Sequence, residues 1–263
     1  MTAQPYVGIT GPVSMDEVVS LTQAFSDSGY TMHSPHIPML GFLVSLKTLH
    51  DQGTANRRYV TFSKLRTILE QASDKVLTMI HYNSREMATL AVQVAEVFDG
   101  LYQDGLCRSL QLNVAWPDVE QVRLIKKQFP DLNVVLQLSQ SVMEGRTVDE
   151  IAGAVLRYEN YCSYALIDPS GGRGKEFDVG ESVNLYNQLR SMSLNLTLGF
   201  AGGFTGQNVE QRVQQIVKEV GTAEFCIDAE GGLRDKRSDV YGDDALNMEK
   251  VKEYLRAAAR VLP

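Results

Sequence analysis

The sequence is poor in the residues that mark several protein classes. It has three cysteines, Cys107, Cys162 and Cys226, in no CxxC or Cys/His cluster, so it predicts neither a disulfide framework nor a zinc or redox motif, and we expect no metal. No apolar run approaches the ~18 residues that span a bilayer. The N-terminus has no cationic segment followed by an apolar one, so we expect no secretory signal.

Positive charge is also scarce. The chain has 25 Lys and Arg against 32 Asp and Glu, a net charge of -7, and no dense basic run. This balance argues against binding to nucleic acid or to an anionic membrane. The 44% of hydrophobic residues predicts a compact core. We therefore expect a cytoplasmic protein with reduced thiols.

Short apolar runs typical of strands alternate with longer segments of helical period. The predicted strands are residues 6–10, 39–45, 76–81, 109–113, 133–139, 164–168, 194–200 and 224–228. Eight helical segments follow these strands. In chain order they are 14–28, 61–71, 84–98, a segment that ends near 128, 148–159, 179–192, 208–220 and 247–261. Eight such pairs predict one closed (β/α)8 TIM barrel as a single domain over residues 1–263, because closure removes both sheet edges. The alternative is an open doubly wound sheet, for which residues 8–11 supply only a fragment of the glycine fingerprint.

In such a barrel the C-terminal ends of the strands and the loops after them converge on one face. Polar residues in these positions are Thr10, Lys47, Arg58, His81, Asn113, Gln137, Asp168 and Asp228. Asp168 is the candidate acid or base, with a helix cap or an ion-pair partner as the alternative. The same loop carries Arg173 and Lys175, which we expect to meet an anion as the loop folds over a ligand.

Glycine pairs follow the seventh and eighth strands, at Gly202-Gly203 and at Gly231-Gly232, the second pair directly after Glu230. Small residues let neighbouring backbone N–H groups turn toward one point. Barrels of this kind frequently bind phosphate with these two loops. The two pairs together favour a phosphate site over simple tight turns.

These motifs, taken in order, resemble the phosphoribosylanthranilate isomerase family of tryptophan biosynthesis. The first matching segments are 8–10, 41–44, 57–61 and 111–113, the last standing where the family usually has Gln-Leu-His. The C-terminal segments are more specific. Residues 168 and 171–178 are similar to the family's Asp followed by GGxGKxFDW. Residues 201–205 and 208–209 are similar to its AGGL and NV, and residues 227–232 are similar to its DxSSG phosphate loop. The resemblance implies no cofactor.

The resemblance implies an Amadori-type isomerisation, in which a ribosylamine phosphate opens to an aminodeoxyketose phosphate. Asp168 matches the family's acid, Arg58 matches the residue that holds the anthranilate carboxylate, and Asn113 falls among the substrate-binding positions. The family's base is a cysteine just before the Gly-Leu-Thr of strand one, and the matching residue is Val7. Either another group is the base, with His81 the best candidate, or the barrel serves a different phosphorylated ligand. A hydrogen-bonded structural histidine is the alternative for His81.

Two functions follow as hypotheses. The first is an isomerase or related lyase acting on a phosphoribosyl-type substrate, and the second is a noncatalytic or regulatory barrel that binds a phosphosugar. The protein partner that these hypotheses allow is a second copy of the chain, in a homodimer. Surplus length relative to the family lies in the second βα loop, at 46–57, and in region 234–244. The charged stretch 234–239 is interpreted as a solvated loop, with an Arg234 that reaches phosphate as the alternative.

Overall fold

The computed structural model describes residues 2–54, 56–72, 74–170 and 178–263. Eight parallel strands form a closed barrel in chain order, which confirms the predicted (β/α)8 TIM barrel. The strands are β1 (Tyr6–Thr10), β2 (Ile37–Ser45), β3 (Leu77–Asn83), β4 (Ser109–Leu112), β5 (Asn133–Ser139), β6 (Tyr164–Asp168), β7 (Thr197–Ala201) and β8 (Cys226–Ala229). Strand β1 pairs with both β2 and β8, so the sheet has no edge.

Helices surround the barrel. They are α1 (Met15–Asp27), α2 (Leu46–Leu49), α3 (Phe62–Leu69), α4 (Leu90–Phe98), α5 (Val119–Gln128), α6 (Gln140–Met143), α7 (Val148–Leu156), α8 (Val179–Ser191), α9 (Val209–Val220) and α10 (Met248–Ala259). Caps define several starts: Ser14 accepts a hydrogen bond from the N–H of Glu17, and Thr147 forms a capping box with Glu150. Among the described residues, no helix is long and apolar enough to cross a membrane.

The apolar core has two parts. An inner cluster, which includes Tyr6, Met39, Val135 and Leu166, fills the barrel interior. A larger outer cluster joins the other face of the strands to the helices. Successive strand residues point to opposite faces, so each strand supplies both clusters.

Strand β1 shows this alternation clearly. The Thr10 hydroxyl reaches Asp228 inside the barrel, and a Cβ on Gly8 would lie 2.9 Å from Oδ1 of the same carboxyl group. Positions 8 and 10 therefore face inward. Val7 is fully buried in the outer cluster, against the helices. The side chain at the position that matches the family's catalytic cysteine thus points away from the barrel mouth.

The prediction of a solvated loop at 234–239 is wrong for its first residues. Residues Arg234–Lys236 form β9, which pairs antiparallel with β10 (Asp244–Leu246) in a hairpin. The Arg234 side chain is buried, because it binds Asp244 and the carbonyl of Gly11. The following residues, 235–241, are exposed. The short helices α2 and α6 also lie outside the predicted helical segments.

Candidate functional site

A cavity of about 390 Å³ opens at the C-terminal ends of the strands. It brings together the sequence-predicted residues His81, Asn113, Gln137, Asp168, Gly202, Gly203, Asp228, Glu230 and Gly231. Arg58, Thr10 and Gly232 lie beside this lining. Arg173 and Lys175 fall outside the described residues. Within the described ranges, no group of three His, Cys, Asp or Glu side chains is placed to hold a metal ion.

Asp168 ends β6 and is held by donors on two sides. Its Oδ2 accepts a hydrogen bond of 2.6 Å from Nε2 of Gln137 on the neighbouring strand β5. Its Oδ1 accepts from the N–H and the hydroxyl of Ser170, at 3.2 and 3.0 Å. Donors directed at both oxygens favour the ionised carboxylate. The geometry therefore favours Asp168 as a carboxylate that can accept a proton.

Asp228, on β8, is a second buried carboxyl group at the mouth. Burial raises its pKa well above the usual value, and the charges of Glu230 and Asp168 raise it further. The Thr10 hydroxyl, at 3.0 and 3.2 Å from its two oxygens, opposes this only in part. A carboxyl group with a raised pKa keeps its proton at higher pH and is able to donate it.

His81 lies on β3, with its Nε2 buried and without a hydrogen-bond partner among the described residues. Burial lowers its pKa to about 3, so the ring is neutral at physiological pH. A catalytic base is expected to have a pKa near the working pH, and His81 departs from that expectation. Gly41 makes room for it, since a Cβ there would lie 2.6 Å from Nε2.

Gln111 and Asn113 continue the polar lining beside His81. Nε2 of Gln111 donates to Oδ1 of Asn113 at 2.8 Å, and the Asn113 N–H donates to the carbonyl of Tyr82. Oε1 of Gln111 is buried and has no partner among the described residues. This part of the mouth is therefore neutral and rich in amides.

The two glycine loops approach each other on the other side of the mouth. Gly202 and Gly203 have φ of 113° and 63°, values that side-chain-bearing residues seldom adopt. A Cβ on Gly232 would collide with the carbonyl of Phe204 in the facing loop. Gly231 and Gly232 begin a 3-10 turn at Gly231–Leu233, and N–H groups at the start of such a turn have no acceptor within it.

A buried ion-pair network, which we call the arginine network, lies beneath these loops. Arg58 donates to Glu230 at 2.5 Å and, through Nε and Nη2, to Asp244 at 3.1 and 2.6 Å. Arg234 donates to Oδ1 of Asp244 at 3.1 Å, and the ring of Tyr241 lies 4.8 Å from the Arg58 guanidinium carbon. A substrate carboxylate at Arg58 would have to share it with two carboxylates of the protein.

Burial and charge balance differ among the network's acids. Burial raises the pKa of Glu230, and the charge of Arg58 offsets only part of that rise. Burial alone would raise the pKa of Asp244, but the hydrogen bonds and charges of Arg58 and Arg234 lower it overall. Asp244 is therefore the ionised partner of the two arginines.

Sequence reasoning missed Gln111 as a cavity residue and Asp244 altogether. Gln111 lies two positions before the predicted end of its strand, so the alternation of side chains places it on the same inward face as Asn113. Asp244 follows a charged segment that carries no helical or strand period, so no local signal marks it. Its partner Arg58 is 186 positions away.

No family model matches this sequence, and no curated protein matches it either. Solved structures with a similar fold include phosphoribosyl anthranilate isomerase from Thermus thermophilus, with a TM-score of 0.61 and 15% identity over 97% of this chain and 98% of that chain. The enzyme of the same name from Thermotoga maritima gives 0.60 and 16% over 97% and 98%. A third phosphoribosyl anthranilate isomerase, in complex with reduced 1-(o-carboxyphenylamino)-1-deoxyribulose 5-phosphate, gives 0.58 and 14% over 97% and 98%. The barrel is thus like that of these isomerases.

Proposed function

We propose that this protein is an isomerase that converts a phosphorylated ribosylamine-type aldose derivative into the corresponding ketose, with Asp168 and Asp228 as its proton-transfer groups. One observation carries the proposal: two buried carboxyl groups at the barrel mouth have opposed environments. Asp168 is surrounded by donors that favour the carboxylate, whereas burial and neighbouring charges raise the pKa of Asp228. A carboxylate held by hydrogen-bond donors and a carboxyl group that keeps its proton are suited to opposite roles.

The roles follow from the protonation states. Asp228 donates its proton to the ring oxygen, the bond from that oxygen to C1 breaks, and the nitrogen lone pair forms a protonated Schiff base. Asp168 then accepts the proton from C2, which gives an enolamine that tautomerises to the aminodeoxyketose. This assignment needs no thiol at position 7 and no basic His81. It differs from the family, in which the residue matching Asp168 is the acid.

The phosphate end of the ligand is assigned to the loops after β7 and β8. Backbone N–H groups of Gly202, Gly203, Gly231 and Gly232 supply donors without adding side-chain bulk. Arg58 holds the Glu230 carboxylate at 2.5 Å, which reduces its repulsion of a phosphate. The remaining substrate-binding residues of the proposal are Asn113, across the cavity, and Arg173 and Lys175, which follow β6 in the sequence.

Turnover of phosphoribosylanthranilate, followed by its fluorescence, tests the activity with one member of this substrate class. We expect Asp168→Asn and Asp228→Asn each to lower kcat/KM by roughly 100-fold or more, because each removes one proton-transfer step. Asp131→Asn, an exposed change before β5 at the opposite end of the barrel, is the matched control and is expected to leave the rate unchanged. Full activity in either mouth variant would refute the assignment.

The pH dependence separates the two carboxyl groups. Asp228 acts as an acid only while protonated, so kcat/KM is expected to fall as pH rises through its raised pKa. Asp228→Asn is expected to abolish that alkaline limb in whatever residual activity remains. An unchanged alkaline limb in the variant would assign the limb to another group.

The second candidate function is a noncatalytic barrel that binds a phosphosugar. Two observations favour it. Val7 faces outward in place of the family's base, and Glu230 and Asp244 already bind Arg58, the residue that matches the family's carboxylate anchor. Binding of a phosphate ester without turnover of any ribosylamine phosphate would support this function. The buried, unbridged thiols suit a cytoplasmic protein in either case.

A further inference from the structure

Two polar atoms at the mouth take no part in the proposed proton transfers. Nε2 of His81 and Oε1 of Gln111 are both buried without a hydrogen-bond partner among the described residues. Their side chains are 1% and 2% exposed, and both line the cavity. Because a buried polar atom without a partner destabilises the folded protein, such atoms indicate where a ligand supplies the missing bond.

The two side chains form a pair across neighbouring strands. His81 on β3 is the register partner of Gln111 on β4, so the two side chains are on the same face of the sheet, on strands about 4.8 Å apart. The bond from Nε2 of Gln111 to Asn113, at 2.8 Å, fixes the amide and leaves Oε1 as an acceptor. The neutral His81 ring offers one hydrogen-bonding nitrogen beside it.

We infer that His81 and Gln111 form a subsite for two hydroxyl groups on adjacent carbons of the ligand, a vicinal diol. One hydroxyl donates to Oε1 of Gln111, and the other exchanges a hydrogen bond with Nε2 of His81. Strands β3 and β4 lie across the barrel from β7 and β8. A sugar phosphate held by its phosphate at the glycine loops and by its diol at this subsite is oriented across the mouth. The inference rests on the proposed function for the position of the phosphate, whereas the diol subsite itself does not depend on that function.

Calorimetric titration with methyl ribofuranoside 5-phosphate and its 2-deoxy and 3-deoxy analogues tests the subsite. The methyl glycoside replaces the ribosylamine nitrogen, so binding is measured without the proposed isomerisation. We expect each deoxy analogue to bind roughly 10- to 100-fold more weakly than the diol, because it leaves one buried atom without a partner. Equal binding of all three would overturn the inference and leave the proposed phosphate site standing.

Variants assign each hydroxyl to a side chain. Gln111→Met keeps a similar volume but cannot accept this hydrogen bond, and we expect it to lose discrimination against one deoxy analogue while keeping it against the other. Gln128→Met, on the exposed face of α5, is the control and is expected to keep both. Loss of neither discrimination in Gln111→Met would overturn the role of Gln111. The wild-type titrations decide the subsite even if this variant fails to fold.

Two further ligands separate this inference from the proposed function. Inorganic phosphate reports the glycine loops, and unphosphorylated methyl ribofuranoside with its deoxy analogues reports the diol subsite. Diol discrimination without phosphate binding would support the subsite and overturn the phosphate part of the proposed function. Failure of every ligand to bind would overturn both.

Discussion

Asp244→Asn tests whether the arginine network stabilises the mouth. The variant keeps the size of the side chain but removes the negative charge between Arg58 and Arg234 and places an NH2 donor among guanidinium donors. Asp244 is 7% exposed and accepts bonds at 2.6 to 3.1 Å from both arginines. Removing one partner of a buried ion pair costs about 3–5 kcal/mol. We expect the free energy of unfolding to fall by about that amount.

Denaturation followed by circular dichroism measures this loss. For a chain of this length, about 2 °C per kcal/mol gives a decrease in Tm of about 6–10 °C. Asp239→Asn, exposed in the same hairpin, is the matched control and is expected to change the free energy of unfolding by less than about 0.5 kcal/mol. A loss below about 1 kcal/mol for Asp244→Asn would refute the argument, since it would mean that water or another group replaces the carboxylate.

The pH dependence of the stability difference provides a second test of the network. Because the arginines lower the pKa of Asp244 overall, its contribution is complete above the usual aspartate pKa of about 3.9 and is lost as pH falls through the lowered pKa. The difference in unfolding free energy between wild type and Asp244→Asn is therefore expected at neutral pH and should shrink in strong acid. A difference that does not depend on pH would point to packing instead of charge.

Three further predictions follow from the same structure. Val7→Cys is expected to leave turnover of phosphoribosylanthranilate unchanged, because side chain 7 packs against the helices; increased turnover in the fluorescence assay would show that it reaches the mouth. Asp228→Asn is expected to raise Tm relative to wild type increasingly as pH rises from the usual aspartate pKa of about 3.9 toward the raised pKa, because over that range the carboxyl group ionises in the unfolded chain but keeps its proton in the folded protein; melting curves across a pH series check this. Gly41→Ala is expected to destabilise the protein by about 1–3 kcal/mol, because the added methyl group would approach His81 too closely. Gly153→Ala, in open space on α7, is expected to stabilise it by about 0.5–1 kcal/mol. Urea denaturation measures both free energies of unfolding, and equal changes in the two variants would contradict the prediction.

The fold could be predicted because its signals are local. Apolar runs such as 134–136 and 165–167, flanked by amphipathic segments, identify strands covered on both faces, and eight repeats lead to a closed barrel. Strand ends also placed Asp168 and Asp228 at the mouth. The protonation states were not predictable in this way, because the raised pKa of Asp228 depends on Glu230 and Asp168, which other segments of the chain supply.

The hairpin of β9 and β10 could not be predicted from the sequence, for a physical reason. Its charged residues carry no strand period, and what buries Arg234 is its pairing with Asp244 and the approach to Gly11, 223 positions earlier in the chain. The low pKa of His81 was likewise hidden, because it depends on the complete burial of a side chain that the sequence places at the end of the third strand and the structure places inside β3. Long-range burial therefore limited prediction more than secondary structure did.

The arginine network also constrains the order in which the protein folds. Arg58 lies in the second βα loop and Asp244 in the last, so their contact closes a separation of 186 residues. The backbone contact from Arg57 to Gly242 and the ion pair from Arg57 to Asp243 span the same two loops. Contacts of such high sequence separation carry a large loop-closure entropy, so they are costly to form before the intervening chain is ordered. We therefore expect the second loop to complete its structure late, when the eighth strand closes the barrel.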